Sequence, residues 1–256
     1  MRFPSKKLPM ILLFVFLLPL LLRAAVYYAS ERPGGWWDAD WSSARLLAPA
    51  AADPAARVIV FSGRTGRWKG IFAVHSWVVV KPENARSYTR YDLTGFGRPI
   101  HVNGWPADAR WFGNTPQMVA DIRGPAAAAA IPKIRAAIAG YPFPNLGDYR
   151  LWPGPNSNTF VAHVLRAAPE LDVALPPEAI GKDFRADGAL FGLTGSGTGV
   201  EASLWGLLGL KLGWVEGLEV NLLSLVAGLD IRRPAVKLPG FGRIGIESST
   251  ATAKAR

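Results

Sequence analysis

Two short stretches hold the side chains whose types and spacing could do chemistry. The first, Ala73-Val74-His75-Ser76-Trp77-Val78-Val79-Val80, sets an imidazole in an apolar, β-branched run. The second, Trp152-Pro153-Gly154-Pro155-Asn156-Ser157-Asn158-Thr159-Phe160-Val161, sets Ser157 where a helix should start, with Asn156 as its N-cap and Asn158 beside it. Free N–H groups and the helix dipole at such a start stabilise developing negative charge, so Asn156 and Asn158 mark an oxyanion position. A dipole contributing roughly 0.3–2 kcal/mol cannot ionise a serine hydroxyl. Ser157 as a nucleophile therefore needs a base, and His75 is the best candidate, with Asp92 on the next strand to orient the imidazole. The bland alternatives are a helix cap for Ser157 and a core histidine satisfied by a neighbour for His75.

Other chemistries are less well supplied. There is no cysteine, which removes disulfides, thiolate metal sites and a thiol nucleophile. The three histidines, His75, His101 and His163, form no HExxH or His-x-His pattern, so neither a metal nor another cofactor is expected. The loop Ser62–Gly70 is glycine-rich and basic but carries Trp68 where a phosphate-binding loop requires glycine.

The elements that must position these residues are read from periodicity. Val58–Phe61 and Ile71–Val80 read as strands of a buried sheet, followed by Tyr88–Leu93, Pro99–Val102 and Gln117–Ile122. A hairpin closing around Lys81–Arg86 would set Val80 opposite Ser87 and His75 opposite Asp92; a slip of one residue would leave His101 or Tyr91 as the orienting group. An Ala-rich helix runs from Gly124-Pro125 to Ala139, with Pro132 a possible break, and a second from about Ser157 to Ala167. Strands followed by helices give an α+β class, with an antiparallel sheet packed against two helices. Beyond Gly195 the leucines alternate. Leu204 to Trp214 and Leu218 to Leu225 are expected as an antiparallel hairpin joined near Glu216-Gly217, its greasy face covering the core or, alternatively, touching a membrane, with a bulge where Leu223 and Leu225 change parity.

At the N-terminus, Leu8–Ala29 is apolar except for Arg23, about the 20 residues a bilayer core requires. Arg2, Lys6 and Lys7 precede it and would stay cytoplasmic, which places the rest outside. Tyr28-Ala29-Ser30 is a poor cleavage site, so an uncleaved transmembrane anchor, standing apart from the fold, is expected over a signal peptide. The organisation is thus an anchor at 1–30, a juxtamembrane linker at 31–56 whose Trp36, Trp37 and Trp41 rest at the headgroups or on the domain, one exported α+β domain at 57–246, and a disordered tail at 247–256. Four of the ten net positive charges lie in the anchor, leaving +6. That excess names no partner. Membrane lipid is expected as one, nucleic acid is not.

Val74-His75-Ser76-Trp77, Trp111-Phe112-Gly113-Asn114, Trp152 to Phe160 and Ala179-Ile180-Gly181-Lys182-Asp183 resemble the bacterial family known as domain of unknown function 3750, from about Arg57 to Ile246. More remotely, a strand-borne His followed by an Asn-nucleophile helix start is similar to circularly permuted papain-like proteins of the NlpC/P60 and lecithin–retinol acyltransferase group. There the helix begins Asn-Cys; here it begins Asn156-Ser157. That resemblance implies a membrane-anchored envelope hydrolase or acyltransferase acting on an amide or ester. The rivals are an inactive module that binds an acyl or peptide group in the same cleft, and a structural membrane-associated protein.

Overall fold

A computed structural model describes residues 7–30 and 35–246. The N-terminal helix consists of α1 (Lys7–Leu12), a π turn over Leu13–Leu17 and α2 (Leu18–Ala29). The widened turn precedes Pro19, which has no N–H to offer the carbonyl one turn back and whose ring crowds it. From Pro9 to Ala29 the helix is long and apolar enough to cross a membrane. It does not stand apart as expected. Phe16, Pro19 and Tyr27 are buried, α2 rests on the 3-10 turn Arg67–Ile71, and the π turn meets the strand Leu225–Asp230. Arg2, Lys6 and the tail from Glu247 lie outside the described residues.

The class is α+β. A first antiparallel sheet contains β1 (Arg57–Arg64), β2 (Val74–Lys81), β3 (Thr89–Leu93), β4 (Ile100–Val102) and β5 (Gln117–Arg123) in the order β4-β3-β2-β1-β5. Both faces of its central strands are buried, which is why β1 and β2 read as unbroken apolar runs. On one face Val58, Val60, Val78 and Val80 meet α3 (Pro125–Ala139) and α4 (Ser157–Arg166). Helix α3 offers Ala127, Ile131, Ile134 and Ile138 at helical spacing and continues through Pro132. On the other face Ile59, Phe61, Trp77 and Val79 lie under Trp111, Trp41 and Phe112. Trp36 joins this aromatic cluster, while Trp37 is 92% exposed. Asp108 ties the segment down by accepting from the Ser43 hydroxyl at 2.7 Å and from the N–H groups of Leu46 and Leu47 at 2.7 and 3.1 Å.

The expected Leu-rich hairpin is present in part: β8 (Leu208–Gly213) and β9 (Gly217–Leu222) pair with Gly213 facing Gly217, but a turn at 205–207 puts Leu204 at the end of the preceding strand and Leu225 begins the following one. It is the centre of a seven-stranded antiparallel meander that also contains β6 (Phe191–Leu193), β7 (Gly199–Leu204), β10 (Leu225–Asp230), β11 (Ala235–Leu238) and β12 (Gly242–Gly245). The parity change expected as a bulge is a two-residue hairpin turn. Leu222 pairs with Leu225, and Leu223 and Ser224 both take positive φ, the mirror-image turn that suits twisted strands.

The expectation that the greasy face covers the core is corrected by the exposures. Leu208, Leu210, Leu212 and Trp214 are each more than half exposed. The charged residues of opposite parity on these strands, Glu201, Lys211, Glu219 and Lys237, are buried. Glu201 pairs with Lys211 and Lys211 with Glu219, so opposite charges alternate across the sheet. Lys211 Nζ lies 2.7 Å from Asp183 and 3.1 Å from Glu201, Lys237 Nζ lies 2.5 Å from Glu219, and Lys182 joins Glu219 to Asp183. Gly228 lies between Glu219 and Lys237 in register and leaves room for that pair to meet. The inner face is thus an ion-pair lattice against the 178–187 segment, and only such pairing makes buried charge tolerable.

Candidate functional site

The site forms at the start of β2. Val78 faces Tyr91 and Val80 faces Thr89, two residues from the register in which His75 would face Asp92. A two-residue shift keeps every side chain on its face, so Asp92 stands diagonal to His75 and still reaches it. His75 Nε2 lies 2.9 Å from Asp92 Oδ1. Arg90, two residues from Asp92 on the same face, donates from Nε to Oδ2 at 2.6 Å and from Nη2 to Oδ1 at 2.8 Å. Its third arm reaches the Pro106 carbonyl at 2.8 Å, and its guanidinium lies 4.0 Å from the Trp77 ring. Arg90 and Asp92 are fully buried.

Burial alone would raise the pKa of Asp92; Arg90 and the His75 hydrogen bond reverse this and hold it below the ordinary carboxylate value. Burial pushes His75 down, against the raising effect of Asp92. A neutral imidazole beside an acceptor-only carboxylate carries its proton on Nε2, which leaves Nδ1 as an acceptor. Trp111 stacks on the ring at 3.8 Å, with 7° between planes.

Helix α4 starts with a complete capping box. Asn156 Oδ1 accepts from the N–H groups of Asn158 and Thr159 at 2.9 and 3.2 Å, and the Thr159 hydroxyl oxygen accepts from the Asn156 N–H at 3.2 Å. The side-chain amides of Asn156 and Asn158 both donate to the Ile180 carbonyl, at 3.0 and 2.8 Å, and that of Asn158 also to the Val74 carbonyl at 2.9 Å. Both amides, expected at an oxyanion position, are therefore engaged in holding the helix to β2 and to the 179–183 turn. Asn158 Oδ1 is buried with no partner among the described residues. Gly181, at φ +91°, closes this turn, and a Cβ there would come within 2.3 Å of the Asn156 amide. Gly181→Ala should therefore destabilise the protein by roughly 2–4 kcal/mol, from strain and the lost cap, measurable as a lower denaturation midpoint.

His75 shares its sheet face with Trp77 and Trp111, whereas α4 packs on the face of Val74 and Val78. Ser157 and His75 nevertheless both border one cavity of about 780 Å³ at the start of β2. Among the described residues no hydrogen bond joins them. Ser157 instead lies beside Tyr149, whose pKa burial raises against the lowering effect of Ser157. Tyr149 carried no stronger signal in the sequence than a turn residue before the helix. His101, the alternative orienting group, faces Asp92 across β3 and β4 but is bonded to the Thr94 hydroxyl at 2.9 Å. The cavity wall is mostly aromatic and aliphatic, with Trp111, Phe112, Phe96, Trp152 and Leu223, and it includes Leu20 from the N-terminal helix. No cluster of three metal-ligating side chains occurs among the described residues.

These features define an α+β protein with an apolar N-terminal helix and a largely apolar cavity backed by a buried His–Asp–Arg chain. The chain belongs to the family described as protein of unknown function (DUF3750), whose model matches residues 55–184. The match takes in the first sheet, both packed helices and the 179–183 turn, and ends before the seven-stranded sheet. No curated protein and no solved structure matches the chain.

Proposed function

We propose that this is a membrane-anchored cell-envelope protein whose cavity binds the acyl group of an amide or ester. The supporting observation is the composition of the cavity: an apolar wall reaching to Leu20 of the membrane helix, with the His75 imidazole, Ser157 and Lys69 among the few polar side chains that line it. His75, whose Nε2 is taken by Asp92, offers Nδ1 as an acceptor and so favours a ligand that brings an N–H or O–H, so N-acyl amides should bind better than esters of the same chain length. The test is a titration of the full chain in detergent with a fluorescent N-acyl amide and the matching ester. Saturable binding, tighter for the amide, is expected, and Phe96→Lys, which puts a charge in the wall, should weaken it at least about tenfold. Absence of saturable binding refutes the proposal.

A second reading, acyl transfer or hydrolysis, is favoured by the neutral His75 with Nδ1 unbonded on the same cavity. Ser157 Oγ would attack the acyl carbon while His75 Nδ1 takes the hydroxyl proton and passes it to the departing amine or alcohol; water then releases the acyl group. Asp92 would orient the imidazole through its bond to Nε2. The opposed sheet faces of His75 and α4 weigh against it. A fluorophosphonate separates the two: labelling that is abolished by Ser157→Ala and by His75→Gln supports catalysis, and no labelling of the intact chain leaves only the binding module.

A further inference from the structure

The seven-stranded sheet is inverted relative to a soluble protein. Register places Leu193, Val200, Leu212, Leu218, Leu229, Val236 and Ile244 in one cross-strand row on its outer face. A second row holds Phe191, Ala202, Leu210, Val220 and Ala227. No charged side chain interrupts either row. Seven strands about 4.8 Å apart, with about 3.4 Å per residue, make this face on the order of 30 by 20 Å, at or above the largest apolar patches of soluble monomers. The charges that would ordinarily face water are locked on the inner side by the lattice of Glu201, Lys211, Glu219 and Lys237.

What covers the face is indicated by the helix. Its π turn, Leu13–Leu17, lies inside the membrane-length segment Pro9–Ala29 and meets β10 of this sheet. Wherever that helix sits in lipid, β10 sits beside lipid too, and the exposed leucines of helix and sheet share one apolar surroundings. Trp205 and Trp214 stand more than half exposed at the turns on opposite strand ends, and indoles favour the boundary between acyl chains and headgroups. The free edges of β6 and β12 would leave backbone groups unsatisfied in hydrocarbon, so the sheet cannot span the bilayer. We propose that the outer face of the seven-stranded sheet lies flat on a lipid bilayer, its leucines in the acyl chains of one leaflet and its edges at the headgroups. This is independent of what the cavity binds.

The chain has no cysteine, so single cysteines report one position each. The full chain is reconstituted in phosphatidylcholine–phosphatidylglycerol vesicles, with spin labels at Leu210→Cys, Leu212→Cys and Val236→Cys, and at Glu83→Cys in the β2–β3 turn as an aqueous control. At the three sheet positions, accessibility to oxygen should exceed that to a water-soluble nickel complex several-fold, with the reverse at position 83. Nickel access at the sheet positions equal to the control overturns the proposal. Low access to both reagents overturns it as well, and dipolar broadening between labels would then identify a second copy of the chain as the occupant.

Discussion

Arg90→Met should cost about 3–5 kcal/mol, because it leaves Asp92 fully buried with its charge answered only by a neutral imidazole. The sign of a pH dependence should change with it. In the native protein the His75 pKa is lowered, so the unfolded chain binds a proton more readily and this contribution to stability falls as pH drops below about 6.5. Arg90 is one of the groups depressing it. Without that cation, Asp92 should draw a proton onto His75 and raise its folded pKa above the unfolded value. The contribution is then fully present below the unfolded pKa and is lost as pH rises through the folded one. Denaturation midpoints between pH 5 and 8 test this: the slope assigned to His75 should be positive in the native protein and negative in Arg90→Met. Arg90→Met combined with Asp92→Asn should recover part of the loss, since neither charge is then stranded.

Lys211→Met should be comparably severe, again about 3–5 kcal/mol, because it strips a cation from both Asp183 and Glu201 in a buried setting. The lattice also makes the protein acid-sensitive. Burial would raise Asp183 and Glu219, but Lys182 with Lys211 holds the first below its ordinary value and Lys182 with Lys237 the second. Folded pKa values below the unfolded ones give stability that is present above about pH 4 and is lost as pH falls through the folded values. Near-ultraviolet circular dichroism during acid titration should show cooperative loss of tertiary signal below that pH, starting higher in Lys211→Met. The raised pKa of Lys211 acts only at the alkaline end, so no loss through this group is expected near neutrality.

The first sheet and its two helices were legible because burial on both faces makes β1 and β2 continuous apolar runs and because Asn156 and Pro125 mark helix starts. The register of β2 with β3 was missed by two residues, since it depends on the conformation of the 82–88 turn, which residue types do not specify. The face of Asp92 survived that error because faces repeat every two residues. Alternation in the Leu-rich stretch revealed two faces but not which one points inward. Glu201, Lys211, Glu219 and Lys237 carried the missing information, because in register they alternate in sign, as a buried pairing requires and a solvated face does not. The Ser157–Tyr149 contact and the fit of Gly181 against Asn156 join the helix start to irregular segments, where no periodicity reports proximity.

Asp183 has a consequence for where the chain can be divided. The family match ends at residue 184, yet Asp183 is held by Lys211 and by the Asn221 amide at 2.8 Å, and Lys182 by Glu219. A fragment cut at the end of the match would carry two oppositely charged residues built for partners it no longer has, next to the Gly181 turn that anchors α4. The stretch matched by the family model is therefore smaller than the stretch these ion pairs tie together, and a soluble fragment designed on the family boundary should lose the helix start at Asn156 along with the sheet it omits.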